Sequence, residues 1–316
     1  MMANTPAPIT QWFFPRGSAP GDTGGQWESV IDRDQPGWQH AGLRVGAIGA
    51  GLTLEAGAIE RMIVPLEGDV TVEWRNESDR GTVELSGRAS PFDGPADVVY
   101  LGDGTSAVLS GTGRVAVAEA ESTAHLPVSV LRGEDTPVEI RGAGRSTRQV
   151  HNFGVPGALE AQNLIVCEVI TPAENWSSYP AHKHDEAITG RESSLEEIYY
   201  FEAAVTRGAS APAEAHPFGM FATYSSSAGQ IDINALVRTG DIALVPFGYH
   251  GPAVAAPGYD LYYLNVMAGP GPERLWQISD DPAHSWVRAS WDDQQPDERL
   301  PYTSSTTTAP RKAPLV

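Results

Sequence analysis

Two histidines one residue apart stand in the stretch "AHKHDEAITGRESSLEEIYYF", residues 181–201, and a pair of glutamates follows. Imidazole nitrogens and carboxylate oxygens are the usual ligand atoms of divalent transition metals. On a β-strand side chains alternate between faces, so His182 and His184 point one way and Lys183 the other. In "EEIYYF" Glu197, Tyr199 and Phe201 share one face, and Glu196, Ile198 and Tyr200 share the other. One of the two glutamates can therefore meet both histidines across a strand pair. A further imidazole is offered by "GDIALVPFGYH", where Gly240-Asp241 turns, a strand follows, and Pro246 and Gly248 bend the chain to present His250. Three imidazoles and one carboxylate suit zinc, manganese, iron, cobalt or nickel, and leave room for substrate oxygens. The remaining histidines, His40, His125, His151, His216 and His284, lack such company and are read as surface or structural groups.

Strands must position these groups. Glycine (33) and proline (25) are plentiful, and helical periodicity is scarce. Short runs rich in Val, Ile, Leu, Thr and Tyr recur between turn signals, among them "RMIVPLEGDVTVEW", "RVAVAEAES", "NLIVCEVI" and "YDLYYLNVMAG". Many short strands at regular spacing predict an all-β sandwich or barrel. No βαβ rhythm and no glycine-rich phosphate loop is present. The strands form two groups, from about Gly42 to Ala120 and from about Asn163 to Met267. A polar, glycine-rich stretch between them, "RGEDTPVEIRGAGRSTRQVHNFGVPG", reads as a linker. Both groups contain a strand at a "GD" turn, "PLEGDVTVEW" and "RTGDIALVPFG", consistent with a duplicated barrel.

The His-x-His, the later glutamate and the Gly-x5-Pro-x-Gly segment ending in histidine resemble the cupin superfamily, barrels of the jelly-roll type. The resemblance implies Glu197 as the ligand, because the metal-binding glutamate stands directly before a β-branched aliphatic residue. Two features depart from the common cupin pattern: an insertion, "DEAITGRESSL", separates His184 from Glu197, and a single residue separates Gly248 from His250. A closer resemblance covers most of the chain. "YPAHKHD", "LEEIYYF", "GDIALVPFGYH", "YDLYYLNVMAGP" and "DPAHSWVRASWD", in that order and spacing, are similar to the 5-deoxy-glucuronate isomerase family of inositol catabolism. That resemblance implies a bicupin of two jelly-roll barrels: residues 1–140 as a degenerate barrel without metal, 141–296 as the metal-binding barrel, and 297–316 as a flexible tail. It implies one divalent ion, zinc first among the candidates, on His182, His184, Glu197 and His250. The reaction it implies is the conversion of the aldose 5-deoxy-D-glucuronate to the ketose 5-dehydro-2-deoxy-D-gluconate.

An isomerase of this kind needs a general base within reach of a carbon-bound proton, and a partner for the substrate carboxylate. Asp185, Glu186, Glu196 and Tyr199 are open as acid or base; Glu186 and Tyr199 are carried forward. Tyr262 and Tyr263 cannot both face the barrel interior. For the carboxylate, arginine is best suited, and Arg148 is taken from among Arg141, Arg145, Arg148, Arg191 and Arg238. Lys183 should face away from the site. Two other readings use the same ligands: an Fe(II) cupin dioxygenase, and a non-catalytic bicupin with a closed structural metal.

The bulk properties bound the rest. The net charge of −19, from 21 basic and 40 acidic residues, argues against nucleic acid as a partner. The start "MMANTPAPITQWFFPRG" has no signal-peptide pattern, and no apolar run is long enough to span a membrane. The single cysteine, Cys167, lies in an apolar run and fits a reducing compartment, so a cytoplasmic enzyme acting on a small uronic acid is expected. Barrel edge strands that pair between subunits would make it a homo-oligomer.

Overall fold

The computed structural model describes residues 11–19, 25–33 and 35–303. Strands dominate, and all the strand pairs are antiparallel. In the N-terminal half, nine strands join in one sheet. Its long member, Ile59–Arg75, pairs with Arg80–Arg88, Val98–Leu101, Ser106–Gly111 and Arg114–Glu121. In the C-terminal half a seven-stranded sheet packs against a six-stranded one. The first runs in the order Phe13–Phe14, Ile242–Val245, Glu196–Val205, Tyr259–Ala268, Ile165–Thr171, Arg148–Gly154, Val138–Arg141. The second contains Asp232–Val237, Gly219–Tyr224, Tyr249–Ala255, His182–Lys183 and Ser279–Asp280, with Trp176–Ser177 at its side. These curled sheets form the two jelly-roll barrels of a bicupin.

Three segments depart from the expected outline. Phe13–Phe14 pairs with Ala243 and Ile242 and so extends the C-terminal sheet, although it precedes the N-terminal strands in the chain. The segment read as a linker holds two full strands of that sheet, Val138–Arg141 and Arg148–Gly154. Its polarity misled because Arg148, Gln149 and His151 are buried polar groups with partners, not solvated ones. Part of the expected tail is also held in place. Tyr302 is buried, its N–H donates to Gln149 Oε1, and Arg299 binds Asp297 and the Ala173 carbonyl. Residues 304–316 lie outside the described residues.

The two halves grip each other reciprocally. Glu60 accepts from the backbone N–H groups of Gln162, Asn163 and Leu164 at 2.6–2.7 Å. Glu196 accepts from those of Gln39, His40 and Ala41 at 2.7–3.4 Å. Each glutamate stands at the start of a long core strand of its own half, and each holds the residues leading into the adjoining strand of the other. That equivalence, not the "GD" turns, locates the internal repeat. It sets Arg61 opposite Glu197 as the next residue along. A bidentate Arg88–Glu168 pair, at 2.6 and 2.7 Å, joins the halves a second time, with His151 and Tyr262 also on the carboxylate.

Candidate active site

The strand Glu196–Val205 and the short strand His182–Lys183 lie on opposite sheets of the C-terminal barrel. His182 pairs in register with His250, and Glu197 pairs with Val245 and Met267. The turn leading to His250 needs two glycines. Gly248 has φ +95°, and a Cβ there would meet Ile231 Cγ2 at 2.5 Å. A Cβ on Gly251, at φ +93°, would lie 1.8 Å from the Ser178 carbonyl oxygen.

These elements bring three of the four expected ligands, His184, Glu197 and His250, to within 4.8 Å of one another, with His182 beside them. Glu197 Oε2 lies 2.9 Å from His184 Nε2 and 3.0 Å from His250 Nε2. The His182 ring is centred 4.5 Å from the His250 ring. Glu196 points elsewhere, to the 39–41 backbone, so Glu197 alone of the pair joins the imidazoles. Every ring presents Nδ1 to a main-chain carbonyl: His182 to Pro180 at 3.3 Å, His184 to Leu195 at 3.1 Å, His250 to Gly248 at 3.2 Å. A carbonyl only accepts, so each Nδ1 carries a hydrogen, and in the neutral imidazole Nε2 is left with its lone pair. Acceptor nitrogens converging on a buried carboxylate repel unless a cation lies among them. The Nε2 of His250 is buried without a hydrogen-bond partner. The donor set and this tautomer pattern fit a divalent transition-metal ion.

Burial opposes ionisation of Glu197, but His250 and His184 outweigh it and hold the carboxyl well below its usual range. At His184 burial is likewise outweighed, by Glu197, and the pKa rises. At His182 burial dominates, His250 adds to it, and the pKa falls well below the usual value.

A cavity of about 350 Å³ opens beside these groups. Tyr199 lines it, with its hydroxyl 3.0 Å from Ser178 Oγ and its ring centred 4.5 Å from Phe221. Burial and then Glu197 push the Tyr199 pKa well above its usual value. Tyr263 faces the cavity, while Tyr262 points the other way and donates to Glu168 at 2.7 Å. Three arginines line the cavity. Arg141 holds Glu139 at 2.7 and 3.0 Å, and Arg288 holds Asp280 at 2.5 and 2.7 Å. Arg148 touches only carbonyls, Ser146 at 3.0 Å and Tyr179 at 3.5 Å, and lies 5.6 Å above the Trp291 ring. Among the described residues it has no carboxylate partner. Burial, reinforced by Arg141, pulls its pKa down to about 9. Arg145 pairs with Glu174 at the surface, and Arg191 and Arg238 are exposed.

Glu186 is not brought to the site. Its carboxylate binds Lys183 Nζ and Ser227 Oγ, both at 3.1 Å, and is 44% exposed. Strand alternation explains this: Lys183 faces away from the imidazoles, and the hairpin of Asp185–Ile188 with Glu192–Ser194 folds over it. Asp185 goes with it, bound to Lys183 at 2.6 Å. The carboxylates lining the cavity are Glu197 and Asp280. Asn265 was not foreseen. It lines the cavity, as does Trp276, and the Nδ2 of the one and the Nε1 of the other are buried without a partner among the described residues.

The KduI/IolB family pattern matches residues 14–287. The protein named 5-deoxy-glucuronate isomerase from Geobacillus kaustophilus is 37% identical over 269 residues, 82% of this chain and 90% of the relative. Its namesake from Bacillus subtilis strain 168 is 36% identical over 244 residues, 76% of this chain and 84% of the relative. The crystal structure of an IolB-like protein from Salmonella typhimurium LT2 superposes with a TM-score of 0.75 at 33% identity, over 87% of this chain and 98% of that one. An oxalate decarboxylase from Lactobacillus farciminis shares the fold at TM-score 0.53 and 10% identity, over 79% of this chain and 82% of that one.

Proposed function

Given that the chain belongs to the KduI/IolB family, we propose that it interconverts 5-deoxy-D-glucuronate and 5-dehydro-2-deoxy-D-gluconate in inositol catabolism. The protein is an enzyme with isomerase activity. One observation carries the substrate assignment: a single cavity is lined by His182 and Glu197 of the converging acceptors and by Arg148, which has no carboxylate partner among the described residues. A uronic acid has a carbonyl for the first and a carboxylate for the second.

His182, His184, Glu197 and His250 would hold a divalent ion, for which zinc is our first candidate. Bound there, it would polarise the substrate carbonyl and stabilise charge on the two oxygens. Arg148 clamps the substrate carboxylate and gains the anion its burial leaves it without. Tyr199, anchored by Ser178, supplies a hydroxyl to protonate a substrate oxygen. The proton moved between the first two carbons needs an acceptor in the cavity. With Glu186 turned away and Glu197 engaged by imidazoles, the remaining cavity carboxylate is Asp280, held through both oxygens by Arg288, and we assign it that role. The N-terminal barrel keeps the fold without an ion. Arg61, in the place of Glu197, supplies a fixed cation bound to Glu119 at 2.7 Å and to the carbonyls of Thr105 and Glu55. Among the described residues no helix is long and apolar enough to cross a membrane. We place the enzyme in the cytoplasm as a homo-oligomer, on its lone buried cysteine and its open sheet edges.

Turnover of 5-deoxy-glucuronate to a ketose, measured with dissolved oxygen, tests the proposal. Ketose formation without oxygen uptake is expected, with about one metal ion per chain that His184→Ala largely loses together with activity. Oxygen consumption would assign the site to a dioxygenase, and full metal retention in His184→Ala would remove the ligand assignment.

A further inference from the structure

The cavity floor is ordered, and the order reads as a substrate. Directly paired residues on neighbouring strands share a face. Glu197 and, two residues on, Tyr199 start the row; Tyr199 pairs with Asn265. Two residues back along that strand, Tyr263 pairs with Val169, and Val169 pairs with Val150. Two residues before Val150 comes Arg148, paired with Arg141. All of these line the cavity. Along the row the floor therefore presents Glu197, Tyr199, the amide of Asn265, Tyr263, two valines and an arginine. Val150 is 1% exposed and Val169 is 5% exposed, so this apolar stretch is set by the packed sheet.

Resting on the isomerase reading, the geometry points to Val150 and Val169 as the residues that select a uronate with no hydroxyl on the carbon next to its carboxylate. With the carboxylate on Arg148, that carbon lies against the two valines. A methylene fits there. On the floor a hydroxyl would lose its water against the methyl groups of the two valines, with Tyr263, the register partner of Val169, as the polar group beside them. The oxygens further along the chain face Asn265, whose buried Nδ2 has no partner among the described residues. The floor thus discriminates by where donors are missing as much as by where they stand.

Ring closure would confuse a test with free sugars, since the hydroxyl in question closes the six-membered ring of glucuronate. The probes are therefore the open-chain hexonic acids made by reducing the aldehyde of 5-deoxy-glucuronate and of glucuronate. Their dissociation constants are measured by calorimetry on the metal-loaded protein. The wild type should bind the deoxy acid about 100-fold tighter. Val150→Thr and Val169→Thr, near-isosteric and tested separately so that one can decide if the other misfolds, should narrow that gap about tenfold by supplying a hydroxyl partner. The narrowing should come from tighter binding of the hydroxylated acid. Turnover of 5-deoxy-glucuronate by a wild type that shows no preference between the acids overturns the valine assignment and leaves the isomerase intact. An unchanged gap in the folded threonine variants overturns it equally. Absence of both turnover and binding overturns the isomerase reading, and the valine assignment with it.

Discussion

Arg148 brings a positive charge into the barrel with no carboxylate to meet it, while Arg141 and Arg288 beside it each hold one. An unpaired buried charge is a cost to the fold. Arg148→Met should therefore leave the melting temperature unchanged or raise it. Substrate affinity should fall about 10- to 100-fold, the weight of one charge-assisted contact. A structural arginine would show the opposite pattern, with stability lost first. Tyr199→Phe should act on the other parameter, lowering kcat about 100-fold or more with KM little changed, as expected for loss of a proton donor. The convergence of His184, Glu197 and His250, with His182 beside them, was legible in the sequence because period-two alternation fixes which of His182, Lys183 and His184 share a face. Arg148 could be named as one of five arginines, but its lack of a partner is a tertiary fact. Glu186 was misplaced because nearness in sequence says nothing about which way a hairpin folds. Asn265 did leave a signal, a lone amide inside the apolar run "YDLYYLNVMAG", on the same face as Tyr263.

At the level of elements, the hairpin between His184 and Glu197 works as a brace. Lys183 Nζ binds Asp185 at 2.6 Å and Glu192 at 2.8 Å, both with side chains about 1% exposed. The other oxygen of Asp185 accepts from the Gly248 N–H at 2.8 Å, and the Gly248 carbonyl accepts from His250 Nδ1. A residue facing away from the site thus fixes the turn that carries one ligand. Replacing Lys183 with methionine leaves two buried carboxylates without a cation, at a cost on the order of 3–5 kcal/mol. Thermal melting should show that loss. Elemental analysis should show reduced metal content although all four ligands are intact, and retention of the full complement would mean that the turn holds itself. The insertion read in the sequence as a departure from the cupin pattern is this brace. Its function was hidden because the chain pairs Lys183 with residues across two turns. The strands of 138–154 were hidden for a related reason. Hydropathy marks a strand when its buried face is apolar, and Arg148–Gly154 buries polar groups on both faces.

Across the whole molecule, a barrel without the site is locked to the barrel that has it. Glu60 and Glu196 each collect backbone N–H groups from the opposite half, and Arg88 reaches across to Glu168. Glu168 lies on Ile165–Thr171, the strand that also carries Val169, so this junction supports the floor of the cavity from behind. The two strand groups were visible in the sequence. Their duplication became exact in register only through the reciprocal glutamates, since few side chains are shared between the halves. Burial opposes the charge on Glu168, but Arg88 and then His151 outweigh it and lower its pKa from 4.5 to about 2. A carboxyl with a depressed folded-state pKa adds stability above its unfolded value and loses it as the pH falls through the folded value. Glu168→Gln should therefore cost on the order of 3–5 kcal/mol at pH 7, because Arg88 is left buried without its anion. The gap between wild type and variant should be constant down to about pH 4.5 and close toward pH 2. Chemical denaturation across that range measures it. A gap that stayed constant to pH 2 would mean that Glu168 takes up its proton alike in the folded and unfolded chains, so that its folded-state pKa is not lowered. A missing gap at pH 7 would mean that the Arg88 bridge contributes nothing to holding the halves together.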